Sequence, residues 1–430
     1  MCYAIPGKVV SVGKREVAVD YFGKKRIVAN HFFEVCKGDF VYAQGGFVVD
    51  KITFEEAKPV LDAWQKAFQG LEQTDAGTNY AENASIQNTN FSEILQKNSL
   101  SKQDAFELMS IESENDLACL YNASNALRRK KLENSCCVHG IIEFSSYCSC
   151  NCTYCGLRVD NKQLERYRMS EQDVFSAAEF AVKKLGFKAL VLQSGEDFSY
   201  SDEDLAQIVQ RIVSNLKVLV FVSVGERSKA CYEKLYKSGA RGVLLRFETS
   251  NPSLYEKIRP GKKLEDRVNL IKHCESLGFI VATGGLIGLP GQTRQDLVND
   301  VFLAGSLGEM VSFGPLIPHP QTPFAKESKV NKNLVFKTLA IARLAFLNSK
   351  ILVTTALETL DEKAKREGLL TGANSLMINV TPRDLAQKYS IYPNKAGVDL
   401  PLQREISQTI NLLRSLGRSP TDLSAKNVIQ

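Results

Sequence analysis

From residue 139 onward the sequence alternates, eight times over, between short apolar runs of β type and longer amphipathic stretches of helical period. The runs fall at 139–144, 189–193, 218–224, 242–247, 279–284, 310–313, 351–355 and 375–380. Amphipathic stretches separate them, including 171–184, 202–216, 229–237, 264–277, 293–307 and 334–347. A strand covered on both faces reads as a continuous apolar run, and a helix at each crossover makes neighbouring strands parallel. Eight such units predict an α/β fold, a closed (β/α)8 TIM-type barrel. The count includes two weaker runs near the end; without them an open or three-quarter barrel would result.

Barrels of this kind carry their active sites at the C-terminal ends of the strands. Polar residues gather there: Ser145-Ser146-Tyr147, Gln193-Ser194-Gly195-Glu196-Asp197, Ser223 with Glu226-Arg227, Arg246 with Glu248-Thr249, Thr283-Gly284-Gly285 and Thr354-Thr355. One rim with many polar groups is the expected place for chemistry.

Upstream of the barrel the pattern differs. Residues 1–57 hold short β-type runs at 8–12, 16–21 and 25–28, then at 40–43 and 47–49, punctuated by Gly and Pro. Evenly spaced short strands predict a small all-β, OB-like barrel. Val60, Leu61, Trp64, Ala67 and Phe68 then follow a helical period. The domain reading is 1–70 for the small barrel with its helix, and 71–90 for a polar linker. The large barrel with its leading helices takes 91–400, and a helical extension 401–430. In the leading helices, Ser101 with Asp104 resembles a capping arrangement.

Composition narrows the function. Of 430 residues, 44% are hydrophobic and 24% charged, as in an ordinary globular protein. The net charge of +6 is evenly spread, without the basic stripe of a nucleic-acid binder. The apolar runs are strand-sized, so no membrane span is expected, and the first residues lack a signal peptide's pattern. The expected location is cytoplasmic. Eleven cysteines in such a chain argue for metal ligands where they cluster, not for disulfides.

Four of them fall between Cys148 and Cys155, and Cys148, Cys152 and Cys155 form C-x3-C-x2-C. An iron–sulfur cluster of the [4Fe–4S] type takes four thiolates, so three leave one iron open to a small molecule. A structural zinc would want four ligands, usually as two C-x2-C pairs, and one pair is present. The pattern resembles the radical S-adenosylmethionine (SAM) enzymes. In these the open iron holds SAM, and an electron from the cluster cleaves it to methionine and a 5′-deoxyadenosyl radical. Tyr154 matches the aromatic residue of that motif, which packs near the adenine. Cys150 is a surplus thiol, and Cys136, Cys137 and His139 read as ordinary residues at a strand start.

Over about residues 95–400 the chain is similar to the HydE-type maturases of [FeFe]-hydrogenase, with PylB and the biotin synthase BioB as relatives. The likeness is carried by residues 141–145 through 155–158, 191–197, 225–228, 244–249, 288–293 and 314–320. It implies that SAM is held by Arg246, Glu248 and Arg267 with help from Ser194 and Tyr154. An arginine fork suits the SAM carboxylate, and a glutamate offsets the positive charges. Gly288 would let backbone approach the adenine. The likeness further implies Thr355, Met377, Tyr389 and Tyr392 around the substrate. His319 has two readings, turn support or substrate contact. The last cysteine is Cys274, so the second C-terminal cluster of some family members is not expected.

Residues 1–9, with 38–41 and 46–48, resemble the chaperone HypC of [NiFe]-hydrogenase maturation. The resemblance implies Cys2, exposed once Met1 is removed, as an iron-fragment ligand. The family's histidine before Gly-Phe is missing; Gln44 lies near that place, and His31 is elsewhere in the sequence. A docking or folding appendage is the other reading.

Together these features imply an enzyme that cleaves SAM reductively with its [4Fe–4S] cluster. Its radical would act on an iron–carbonyl–cyanide–cysteine precursor of the H-cluster di-iron subcluster. Other maturases and an electron donor are the expected partners, with neither nucleic acid nor membrane. Two alternatives stay open: PylB- or BioB-like chemistry on an amino acid or other small molecule, and a metal-fragment carrier without turnover.

Overall fold

The computed structural model describes residues 4–421. Its first unit has five strands: β1 (Gly7–Val12), β2 (Glu16–Tyr21), β3 (Lys24–Ala29), β4 (Phe40–Gln44) and β5 (Phe47–Ile52). They close into a barrel in the order β1-β2-β3-β5-β4. Alternation decides which side is the core: Val17, Val19 and Tyr21 of β2 turn inward to meet Val9, Val28, Val41 and Val48. Gly45 and Gly46 join β4 to β5, both at positive φ (59° and 82°), as a two-residue hairpin requires.

A helix, Phe54–Gly77, leaves this barrel behind a capping box made by Thr53 and Glu56. It runs well into the stretch expected as a polar linker. Two polar anchorages explain why that stretch is ordered without much apolar surface. Asp75 is buried and takes two 2.7 Å hydrogen bonds from Arg128, with Arg418 at 3.1 Å. Asn122 hydrogen-bonds the backbone at Tyr80, Ala81 and Ala84. The leading helices follow, Lys102–Met109 and Glu114–Leu132 the longest, the first capped by Ser101 and Asp104.

The large barrel then builds β6 (Cys137–Ser145), β7 (Ala189–Ser194), β8 (Leu219–Ser223), β9 (Gly242–Leu244) and β10 (Ile280–Thr283). It continues with the short β11 (Leu286–Ile287), β12 (Met310–Val311), the short β13 (Gly314–Pro315), β14 (Lys350–Val353) and β15 (Ser375–Asn379). Eight of these close in the order β10-β12-β14-β15-β6-β7-β8-β9, while β11 and β13 pair separately. Neighbours in the ring are parallel, and the β15–β6 seam runs from Ser375↔Cys137 to Asn379↔Ile141. The expected eight-stranded closure is what is found. The extension at the C-terminus forms the helix Leu402–Ser415, whose Ile406, Ile410 and Leu413 are buried. Among the described residues, no helix is long and apolar enough to cross a membrane.

The two barrels meet at the N-terminal mouth of the larger one. Ala4, Tyr42 and Val49 pack in one apolar cluster with Ala189, Leu219, Ile280 and Met310, which begin β7, β8, β10 and β12.

Candidate functional site

The opposite, C-terminal mouth opens into a cavity of about 300 Å³. The loop after β6 brings Cys148, Cys152 and Cys155 to its wall, with Cys150. This loop is fixed by its own backbone: Ser149 N donates to Glu196 O at 3.0 Å, Thr153 N to Ile258 O at 3.0 Å, and Gly156 N to Ile391 O at 2.9 Å. Gly195 allows the close approach, since a Cβ there would stand 2.2 Å from Tyr147 O and 2.7 Å from Cys148 Cβ. Arg168 lies 3.5 Å over the Tyr147 ring and donates to Asp197 at 2.6 Å. Asp197 is buried, which opposes ionisation, yet Arg168 and Ser145 hold its carboxyl below the usual range.

Hydrogen-bond donors and cations stand close to the thiols. Backbone N–H groups of Cys150 and Glu196 each point at Cys148 Sγ from 3.4 Å. Behind the loop, Glu196 and Glu226 face three cations. Arg259 is 2.9 Å from Glu196, and Lys262 and Arg267 are each 2.8 Å from Glu226. Burial and the crowding of the cysteines push the Cys148, Cys152 and Cys155 thiols up, and the excess of three positive charges over two negative, Arg259 first, offsets part of that rise and suits an incoming carboxylate. Cys150 belongs to this second layer, donating to Glu196 at 3.0 Å. Among the described residues no three His, Cys, Asp or Glu side chains are drawn together at metal-ligand spacing. The fit of a [4Fe–4S] cluster therefore rests on the donor set and on its place at one cavity wall.

The residues expected around SAM are brought together, with one exception. Tyr154, Ser194, Arg246, Glu248 and Arg267 all line the cavity. Arg246 donates to Glu248 at 2.8 Å, and its Nε is buried without a protein partner. Glu248 sits at φ 66°, an uncommon conformation for a residue with a Cβ. It is pinned there by Glu248 N to Gly284 O at 3.0 Å and Leu286 N to Glu248 O at 2.9 Å. Such strain costs of order 1–3 kcal/mol and gathers at working sites. Arg267 looks like a surface charge on its helix, but only 3% of its side chain is exposed. Gly288 is the exception, lying outside the cavity lining. Its φ of 87° and the 2.7 Å that would separate a Cβ from Val330 give the glycine a turn role. Gln292 and Asp300 brace that turn: Gln292 accepts from Gly288 N at 2.8 Å and donates to Asp300 at 3.1 Å. Burial pushes the Asp300 carboxyl up to about 6.

Thr355, Met377, Tyr389 and Tyr392 line the same cavity, and the segment that carries both tyrosines reaches the cysteine loop through Gly156 N to Ile391 O at 2.9 Å. Gln193 donates to the Tyr389 hydroxyl at 3.3 Å. Thr354 Oγ1 is buried there without a partner. His319 is not a lining residue; its Nδ1 accepts from Gln321 N at 3.1 Å, which makes it a turn support. Cys2 lies outside the described residues.

Sequence reasoning missed a buried ion pair in this cavity. Lys395 donates to Glu143 at 2.7 and 2.8 Å and to Tyr389 O at 3.3 Å, and Asn379 donates to Glu143 at 2.7 Å. Burial raises the Glu143 carboxyl, and Lys395 offsets only part of that rise. The pair ties the barrel seam to the segment that carries both tyrosines. A charged residue as the third inward position of an apolar strand was the available signal.

Comparison with known proteins agrees with this geometry. The radical SAM superfamily matches residues 142–304, a biotin and thiamin synthesis associated domain 312–419, and the HupF/HypC family 1–64. The chain is 39% identical over 329 residues to the [FeFe] hydrogenase maturase subunit HydE of Thermotoga maritima, covering 76% of this chain and 94% of that protein. It is 29% identical to 3-methylornithine synthase of Methanosarcina acetivorans, covering 75% and 90%. Among solved structures, methylornithine synthase (PylB) superposes with a TM-score of 0.65 at 23% identity, covering 77% of this chain and 96% of that one. The maturase HydG of Carboxydothermus hydrogenoformans also reaches 0.65, at 19% identity and with 82% and 83% covered. These last two speak for the fold.

Proposed function

Because the chain belongs to the HydE family of radical SAM hydrogenase maturases, we propose that it prepares the di-iron subcluster of the [FeFe]-hydrogenase active site from a small iron–carbonyl–cyanide–cysteine precursor. The observation that carries this reading is one cavity lined both by the three cysteines and by Thr355, Met377, Tyr389 and Tyr392. When bound, the [4Fe–4S] cluster supplies the electron that cleaves SAM to methionine and a 5′-deoxyadenosyl radical.

Each group in the wall has a task in this scheme. Cys148, Cys152 and Cys155 would hold the cluster, and the surplus of Arg259, Lys262 and Arg267 over Glu196 and Glu226 offsets its negative charge. Arg246, with its free Nε, offers a fork to the SAM carboxylate, while Glu248 takes the ammonium. Tyr154 is half-buried against Leu254, Leu289 and Leu316, and would pack near the adenine. Ile141, Leu244, Leu352 and Met377 form an apolar lower wall that excludes water from the reacting centre. Gln193 orients the Tyr389 phenol toward the precursor. The small barrel fits work alongside other hydrogenase maturation proteins, with the Cys2 thiol as carrier of an iron fragment.

The test is anaerobic maturation of apo-[FeFe]-hydrogenase with the partner maturases and SAM, scored by hydrogen evolution. Full activity with this chain in place of HydE is the expected result. Failure, with protein that still cleaves SAM, would move the substrate to an amino acid or another small molecule. Unchanged maturation by a Cys2→Ser chain would remove the carrier role.

A further inference from the structure

A barrel that closes on its own fills its axis with layers of bulky, branched side chains. At the N-terminal mouth of the large barrel three axial positions are instead small. Ala189 and Ala282 belong to the floor cluster, and Gly242 is paired in register with Phe221, where a Cβ would meet that ring at 2.1 Å. Phe221 fills the space at Gly242, and the small barrel fills in over the alanines, its Ala4, Tyr42 and Val49 completing the cluster. The β4–β5 turn is seated without spare room. A Cβ on Gly45 would stand 2.5 Å from Ile280 Cδ1 and 2.9 Å from Leu219 Cδ2. The rim is clamped by charge, with Asp50 at 3.4 Å from Lys188 and 3.2 Å from Lys217. Lys188 also lies 4.6 Å over the Tyr42 ring.

This floor is close to the chemistry. Ile141, Leu244 and Met377 line the cavity and also pack against the cluster that holds Ala4, Tyr42 and Val49. One apolar cluster, in which Val191, Phe221 and Ala282 of the large barrel join Ala4, Tyr42 and Val49 of the small one, thus forms the floor beneath the cavity. We propose that the small barrel is the floor plug of the cavity, turning a passage along the barrel axis into a blind chamber closed to water and reductants from below. The value of a blind chamber rests on the radical reading above; the seating does not.

The experiment places a reporter thiol on the lower wall by Ile141→Cys in the full, cluster-loaded chain. Its alkylation by iodoacetamide is followed peptide by peptide in a mass spectrometer, with and without SAM. Two further variants lift the plug in different ways: Gly45→Val by steric clash, and Asp50→Lys by repulsion from Lys188 and Lys217. Separation of the barrels is read from the scattering radius in solution. With SAM bound, slow labelling is expected in the seated chain, and labelling at least tenfold faster in both lifted variants, as for a local opening made about 1.4 kcal/mol easier. Equal rates in seated and lifted chains would overturn the plug, as would fast labelling of the seated, SAM-bound chain. SAM that fails to slow labelling of the seated chain relative to the SAM-free one would count against the cofactor reading of the open mouth, a separate failure.

Discussion

The two mouths of the large barrel are built from opposite materials. At the C-terminal mouth strands end in charged and polar groups, several of them strained or lacking a protein partner: Glu248 at φ 66°, Arg246 Nε, Thr354 Oγ1. At the N-terminal mouth two alanines are filled in by a second domain until no gap for a methyl group is left at Gly45. Unmet polar atoms mark where a ligand completes the structure, whereas tight apolar packing marks where the structure completes itself. The same fold thus separates reactivity from support by about the length of one short strand.

Substitutions should respect that division. Cys152→Ala at the open mouth should reduce deoxyadenosine formation from SAM to background, while the far-UV spectrum stays unchanged; retained turnover would break the contrast. Leu219→Ala at the floor should do the reverse, costing about 2–5 kcal/mol of stability as a buried leucine truncation. SAM cleavage at low temperature should persist, and a thermal melt beside a turnover assay reads both. Lys395→Met should lower coupled product formation about 10–100-fold through displacement of the tyrosine segment. The cluster spectrum and SAM affinity should hold, and Lys395→Arg should restore part of the loss.

The smallest effect expected is a pH dependence at the Gly288 turn. Burial raises Asp300 from 3.8 to about 6. A raised carboxyl contributes stability that is complete below its unfolded value and lost as pH climbs through about 6. Asp300→Asn should therefore flatten the stability profile between these values, a slope worth of order 1–3 kcal/mol. Thermal midpoints taken across that range would show it, and an unchanged slope would assign the dependence elsewhere.

Local signals made the fold readable. Buried parallel strands leave continuous apolar runs, and hairpins leave Gly pairs, so both barrels are legible in the sequence. The three cysteines were legible for the same reason, being close in sequence. What escaped depends on distance. Lys395 and Glu143 are 252 residues apart, and nothing near Lys395 distinguishes it from a solvated lysine. Arg267 has the helical spacing of a surface charge and is buried because Glu226 stands 2.8 Å away. Ala189 and Ala282 look like ordinary strand residues until the small barrel is seated on them. The polar stretch after residue 70 reads as loose because its order comes from Asp75 and Asn122, single hydrogen-bonding residues with no periodic trace. Gly288 suggested backbone approach to a ligand, but a left-handed turn asks for the same residue.

The central claim is that the chamber at the open mouth handles an iron-bound cysteine fragment. The most direct test is the rate of deoxyadenosine formation by the cluster-loaded chain with and without a synthetic iron–carbonyl–cyanide–cysteine complex, with free amino acids as controls. Acceleration by the complex alone is the result predicted here. Acceleration by a free amino acid, with none from the complex, would contradict it.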